Sequence, residues 1–120
     1  EMQRSLVGSE MCIRDSLKRV RKKESAMLLA SQNLEDFDQE GVREMTKPLF
    51  SIPPHQFLFN AGSIDKRSYM DMLQLEESEY NLIKFPQRGV CLYKCGNERY
   101  LLEVHAPAYK EKLFGTAGGR

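Results

Sequence analysis

No stretch of this chain approaches the ~20 consecutive apolar residues that a bilayer-spanning helix needs, which excludes a transmembrane helix within it. An excess of one charge is also missing. The 18 Lys and Arg stand against 17 Asp and Glu, so the net charge of +1 gives no general attraction to nucleic acid. Cysteine is scarce: Cys12, Cys91 and Cys95 make no disulfide framework, and without a secretory signal they point to a reducing cytoplasm. A zinc site wants four ligands, yet His105 is the only imidazole near Cys91 and Cys95, and His55 is a lone loop residue beside two prolines. No metal site is expected. Residues 17–120 also lack a G-x-x-x-x-G-K-[ST] loop and any apolar strand ending in Asp-Glu, so the chain alone has no phosphate cradle of that kind.

What is present centres on Arg21 to Asn33. The basic cluster Arg21-Lys22-Lys23 leads into the apolar run Ala26 to Ala30, which stops at Ser31-Gln32-Asn33. Five apolar residues without alternation suit a strand buried on both faces, as in a parallel sheet. Asn33 is a candidate helix cap, with Glu35 and Asp36 in the first turn, where a helix N-terminus favours negative charge. Gln32 then falls at the carboxyl end of a strand, where open α/β sheets place their ligand chemistry. The plainer alternative is that Ser-Gln-Asn are only turn residues, and that the Lys/Arg cluster is a solvated surface or a footprint for phosphates.

The elements that follow are short. Weak helical turns cover Leu34 to Phe37 and Val42 to Leu49, separated by Gly41, with Pro48 limiting the second. Gln56 to Phe59 reads as an aromatic-rich strand, so strand, helix and strand form a βαβ unit with two parallel strands. Ser63 or Asp65 caps a helix to about Leu73 or Leu75, with Ile64, Tyr69, Met70 and Leu73 as its core stripe. A second helix, Glu76 to Ile83, turns Tyr80, Leu82 and Ile83 toward the core. Its Glu76, Glu77 and Glu79 resemble catalytic carboxylates, but complementarity to the helix dipole explains them. Val90 to Lys94 and Arg99 to Val104 form a hairpin about Cys95-Gly96-Asn97-Glu98, and Tyr109 to Phe114 makes a terminal turn. The aromatics Phe57, Phe59, Tyr93 and Tyr100 lie in apolar strands and are expected in the core.

The first residues read differently. Ser5 to Ser16 resembles a translated sequencing-library adapter, in which the transposase end sequence gives Glu-Met-Cys-Ile-Arg-Asp and then Ser or Arg. Residues 1–16 are therefore set aside as an artefactual, disordered segment. They carry Arg4 and Arg14 against Glu1, Glu10 and Asp15, which leaves 16 basic and 14 acidic residues in 17–120. That balance predicts no nucleic-acid binder either. About 100 residues suffice for one small domain or part of one.

The Arg21 cluster followed by a strand ending in Ser-Gln-Asn resembles a signature of the VirB/TraC-type conjugation and type IV secretion ATPases, hexameric motors related to the HerA and FtsK pumps. Gly89 to Tyr93 and Lys112-Leu113-Phe114 resemble that family's hairpin and tail. The resemblance runs from about Leu17 to Phe114, with only the Arg21 and Gln32 portion specific to chemistry. Lys23 stands where the family usually has a second arginine, and Glu24 replaces a common Asn.

The resemblance implies an α/β fold, namely the C-terminal fragment of a RecA-like P-loop NTPase sheet with a βαβ unit, a helix pair and a terminal hairpin. It implies that Gln32 senses the nucleotide γ-phosphate and that Arg21 is the arginine finger of a neighbouring subunit's site. For the parent protein it implies ATP and Mg as cofactors and a hexameric homo-oligomer. It also implies other secretion-channel components as partners, DNA among the possible substrates, and a cytoplasmic position at the bacterial cell membrane. The fragment alone is expected to be inactive. The alternative is a standalone module whose Lys18 to Lys23 segment binds nucleic acid or an acidic partner.

Overall fold

The computed structural model describes residues 12–32 and 34–115; Asn33 and the side chain of Arg21 lie outside the described residues. Residues 12–20 are helical (α1). No Gly or Pro interrupts them, and Ile13, Leu17 and Val20 recur at i, i+4 and i+7 as a half-buried stripe. Residues 12–16 of the segment expected to be disordered lie in this helix, and residues 1–11 lie outside the described residues. A 3-10 turn, Arg21–Lys23, follows and ends at Glu24, whose φ of 50° is left-handed. There Ser25 N donates to Val20 O and Ser25 Oγ to Lys23 O.

The strand expected over residues 26–30 does not form. Residues 25–31 are irregular and exposed, with Leu28 at 92%. A strand buried on both faces needs neighbours at both edges and layers above and below. The described residues supply neither.

The sheet has three strands, β1 (His55–Leu58), β2 (Val90–Cys95) and β3 (Glu98–Glu103), in the order β1-β2-β3. Both pairings are antiparallel, so the expected parallel βαβ pair is absent among the described residues. The β2–β3 hairpin is the one expected. Its two-residue loop begins at Gly96 with φ +58°, the left-handed value a type II′ turn requires at its first position. At the opposite end, Val104 N donates to Gly89 O, and a Cβ at Gly89 would sit 2.4 Å from Val104 O.

Four further helical elements complete the fold: a 3-10 turn at Glu35–Phe37, α2 (Arg43–Ser51), α3 (Lys66–Leu73) and α4 (Glu77–Leu82), before a terminal α5 (Ala108–Phe114). The helix expected over Val42 to Leu49 runs on to Ser51. Proline lacks an N–H donor and crowds the turn before it, but the Pro48 carbonyl still accepts from Ile52 N and carries the helix onward. Phe50, beyond it, meets Phe37 edge-on at 5.6 Å.

Register divides the sheet into two unlike faces. Leu58 pairs with Leu92 on the face that packs with Ile64, Tyr69, Leu73, Leu75 and Ile83 as the core. Complete burial of a side chain such as Leu92 contributes about 1.5–3 kcal/mol. The other face carries the row Phe57–Tyr93–Tyr100. Phe57 is 53% and Tyr100 49% exposed, and Phe59 beyond β1 is 54% exposed, so the expected burial of these aromatics is corrected. Leu82, also expected inside, is 50% exposed because α4 turns Tyr80 and Ile83 inward instead.

Candidate functional site

Gln32 is exposed at a bend between the irregular 25–31 stretch and the 3-10 turn Glu35–Phe37. Arg21 opens the 3-10 turn Arg21–Lys23, but its side chain lies outside the described residues. Asn33, the expected cap, lies outside them too; Leu34 occupies the cap position of the 3-10 turn and makes no side-chain cap bond. The apolar run before Gln32 is uncovered, with Met27 at 39% and Leu29 at 43% exposure.

Downstream of Gln32 the backbone is held at several points. Leu34 packs against the core, and Phe37 against Phe50. Glu35 Oε1 accepts a 2.5 Å hydrogen bond from Ser63 Oγ, 28 residues away. Arg43 pairs with Asp38 at 3.6 Å and with Asp71 on α3 at 2.5 Å. Ser63 itself belongs to a tightly bonded loop. Asn60 Nδ2 donates to Ile83 O and Lys84 O, and its Oδ1 accepts from Gly62 N. Tyr69 Oη donates to Phe59 O, and Asp65 caps α3 by accepting from the Arg67 and Ser68 amides. Sequence reasoning offered Ser63 and Asp65 as equal caps; Asp65 takes that role and leaves the Ser63 hydroxyl for Glu35.

The three glutamates at α4 are structural. Glu76 and Glu79 form a reciprocal capping box, and Glu79 also pairs with Arg99 at 3.1 Å. Glu77 pairs with Lys66, whose hydrogen bond and charge hold the Glu77 carboxyl below the usual range. None of them converges with Gln32 into an acidic pair for a metal. Among the described residues, no group of three or more His, Cys, Asp or Glu side chains is placed to hold a metal ion. The described residues alone do not make up a Mg-nucleotide site.

A second polar cluster lies on the open sheet face. His55, expected in a loop, opens β1, and its Nδ1 lies 2.8 Å from Tyr93 Oη. The Cys95 side chain, through its hydrogen bond, pushes the Tyr93 phenol up, and Glu98 does the same to Tyr100. Alternation in β1 was the available signal, since residues 55 and 57 share a face once the strand starts at His55. A cleft of about 510 Å³ is lined by Phe59, Arg88, Gly89, Val104, His105, Ala106 and Glu111.

The same arrangement of elements occurs in a solved structure. The chain is similar to VirB4 of Thermoanaerobacter pseudethanolicus. The two superpose with a TM-score of 0.78 at 26% sequence identity, over 88% of this chain. The match spans 28% of that VirB4 chain, so this chain corresponds to under a third of it. No protein-family model and no curated protein sequence matches the chain. The VirB4 likeness agrees with the resemblance to the type IV secretion ATPases drawn from the sequence.

Proposed function

We propose that this chain is the C-terminal portion of the motor domain of a VirB4-like type IV secretion ATPase, a RecA-like P-loop NTPase working in conjugation. The observation that carries the reading is the VirB4 likeness across 88% of the chain. In the longer protein, Gln32 contributes a neutral carboxamide able to donate to a phosphate oxygen and accept from a water. Arg21 contributes a permanently charged, forked guanidinium across a subunit boundary, a group suited to the charge of a transferring phosphoryl. The phosphate cradle and the acidic metal ligand lie in the remainder of the protein. The active form is a homo-oligomer, with six subunits as the family pattern, at the cytoplasmic face of the bacterial membrane beside other channel components. Its cargo is DNA or protein.

Two features support this placement. The apolar residues 26–30 are left exposed, as expected of a strand whose sheet partners belong to another part of the protein. Gln32 ends that stretch and is itself exposed, where a ligand held by another segment has access to it.

The test uses the longer ATPase. Arg21→Ala should leave nucleotide affinity intact and depress turnover by ~10³-fold or more. Gln32→Ala should also lower turnover while affinity changes little. Unchanged turnover in either variant removes that residue from its role. The 120-residue chain should give no heat on titration with Mg-ATP.

A second reading, a binding module without catalysis, is favoured by one observation: the half-exposed row Phe57–Tyr93–Tyr100, whose neighbouring rings stack at 4.7 and 6.1 Å. Aromatic rows on open sheets can stack unpaired bases.

A further inference from the structure

We propose that the free edge of β3 pairs with the same edge of a second copy of this chain, antiparallel and about a two-fold axis at Leu101. The contact goes beyond the motor reading and does not rest on it.

Among the described residues β3 is an edge strand, since the sheet order ends on it. The hairpin settles which of its backbone groups face outward. The two-residue loop makes Cys95 and Glu98 the closing pair, and Val104 N donates to Gly89 O at the far end. Bonded and non-bonded pairs alternate along an antiparallel ladder, so residues 98, 100, 102 and 104 turn their N–H and C=O groups toward β2. Arg99, Leu101 and Glu103 turn theirs away from the sheet. All three residues are exposed, Leu101 by 54%.

Such an edge is a template for a further strand unless shortness, proline, lysine or a bulge blunts it. At the opposite edge β1 has two of these protections, a length of four residues and Pro53-Pro54 before it. β3 has none of them. It is six residues long, contains neither Pro nor Lys, and keeps an unbroken register with β2.

The composition of β3 selects the occupant. In Glu-Arg-Tyr-Leu-Leu-Glu, Arg99 and Glu103 stand two residues to either side of Leu101. An antiparallel pair centred on Leu101 therefore sets Arg99 opposite Glu103 of the second copy, twice over. Leu101 meets Leu101 on the axis, and Tyr100 meets Leu102 on the other sheet face. Opposite charges and apolar pairs are the favourable combinations directly across a ladder. Outward residues meet outward residues throughout, so every bond of the new ladder can form. Centring on Arg99 or Glu103 sets like charges together, and a parallel pair in register does so at both positions. Centring on Tyr100 or Leu102 sets Leu101 against a charge. Within the chain, the Arg99 guanidinium is held by Nε to Glu79 and by Nη1 to Gly96 O and Glu98 O, which leaves Nη2 for the incoming carboxylate. The contact is isologous and closes as a dimer, whereas a ring in which Arg21 reaches the next subunit needs a different, head-to-tail contact.

The test uses the 120-residue chain in sedimentation velocity over a concentration series, with amide exchange on the same samples. The unmodified chain should form a dimer as concentration rises, with the Arg99, Leu101 and Glu103 amides then in slow exchange. Dilution should return those three amides to fast exchange, a readout that needs no variant. Leu101→Lys and Leu101→Glu should each be monomeric, because like charges meet on the axis. Slow exchange at Tyr100 and Leu102, whose amides bond to β2, reports that the hairpin stays folded in both. An equimolar mixture of the two variants should regain the dimer, since opposite charges then meet there. Leu113→Lys, at an exposed position on α5, should leave the dimer unchanged. A monomer at every concentration, or a dimer whose three edge amides stay fast, would overturn the proposal. So would a dimer that survives Leu101→Lys or is lost in Leu113→Lys, and so would a mixture of folded variants that stays monomeric.

Discussion

Tyr69 and Lys94 occupy the same core and respond to alkali in opposite directions. Tyr69 is 2% exposed, and burial, followed by the neighbouring Tyr80, pushes its phenol up. Because the folded pKa is raised, the stabilisation is complete below the unfolded value of about 10 and is lost as pH rises beyond it. Lys94 is 8% exposed and donates to Leu73 O at the end of α3. Burial, and then the Arg99 charge, lower its pKa against the opposing pull of Glu79, so its contribution improves as pH rises toward the ordinary lysine value. Tyr69 has the large shift and should dominate. Urea midpoints should therefore fall between about pH 9 and 11, and Tyr69→Phe should flatten that slope. At neutral pH the same variant should lose about 0.5–1.5 kcal/mol with the hydrogen bond to Phe59 O. An alkaline slope unchanged in Tyr69→Phe would place the effect on the other titrating groups. Tyr69 was legible as core from its helical spacing. Lys94 was not, because strand alternation puts residue 94 beside Leu92 on the buried face and nothing in the sequence announces the carbonyl that receives it.

Among the elements, those closed by local chemistry were the legible ones. The hairpin follows from Gly96 at its turn, and α3 from the Asp65 cap. For α4, the capping box ties Glu76 to Glu79 within four residues. Glu79 then does a second job that spacing does not reveal, since Arg99 comes to it from β3. Glu79→Ala should cost about 1–2 kcal/mol, the loss of a cap plus a partly buried ion pair. Glu79→Gln keeps an acceptor for the Glu76 amide and should recover most of that loss in a denaturant titration. Equal losses in the two variants would assign the effect to charge and not to the cap. Where an element depends on distant partners, the sequence misled. Residues 26–30 have the composition of a buried strand but no ladder, and Pro48 looked like a stop because the packing of Phe50 beyond it is tertiary.

On the scale of the whole molecule, one sheet face is closed by α3 and α4 and the other keeps an aromatic row half open. That asymmetry was hidden in the sequence, since β1 and β2 are apolar on both sides and periodicity alone does not say which side is covered. It also separates the two functional readings. Cations that would follow a nucleic-acid backbone are missing from the row itself, whose polar neighbours in register are His55, Cys95 and Glu98. A single-stranded oligonucleotide should therefore show no salt-sensitive binding to the 120-residue chain. Binding that weakens steeply with added salt, and is lost in Tyr93→Ala, would move the assignment to the binding module. The open row has one more consequence, an optical one. The chain contains no tryptophan and five tyrosines, so its near-ultraviolet emission comes from tyrosine alone. Tyr93 and Tyr100 face outward in a stack, whereas Tyr69 is sealed in the core. Whatever comes to rest over the sheet changes the light from the first two and leaves the third as an internal reference, so the protein carries its own label for that surface.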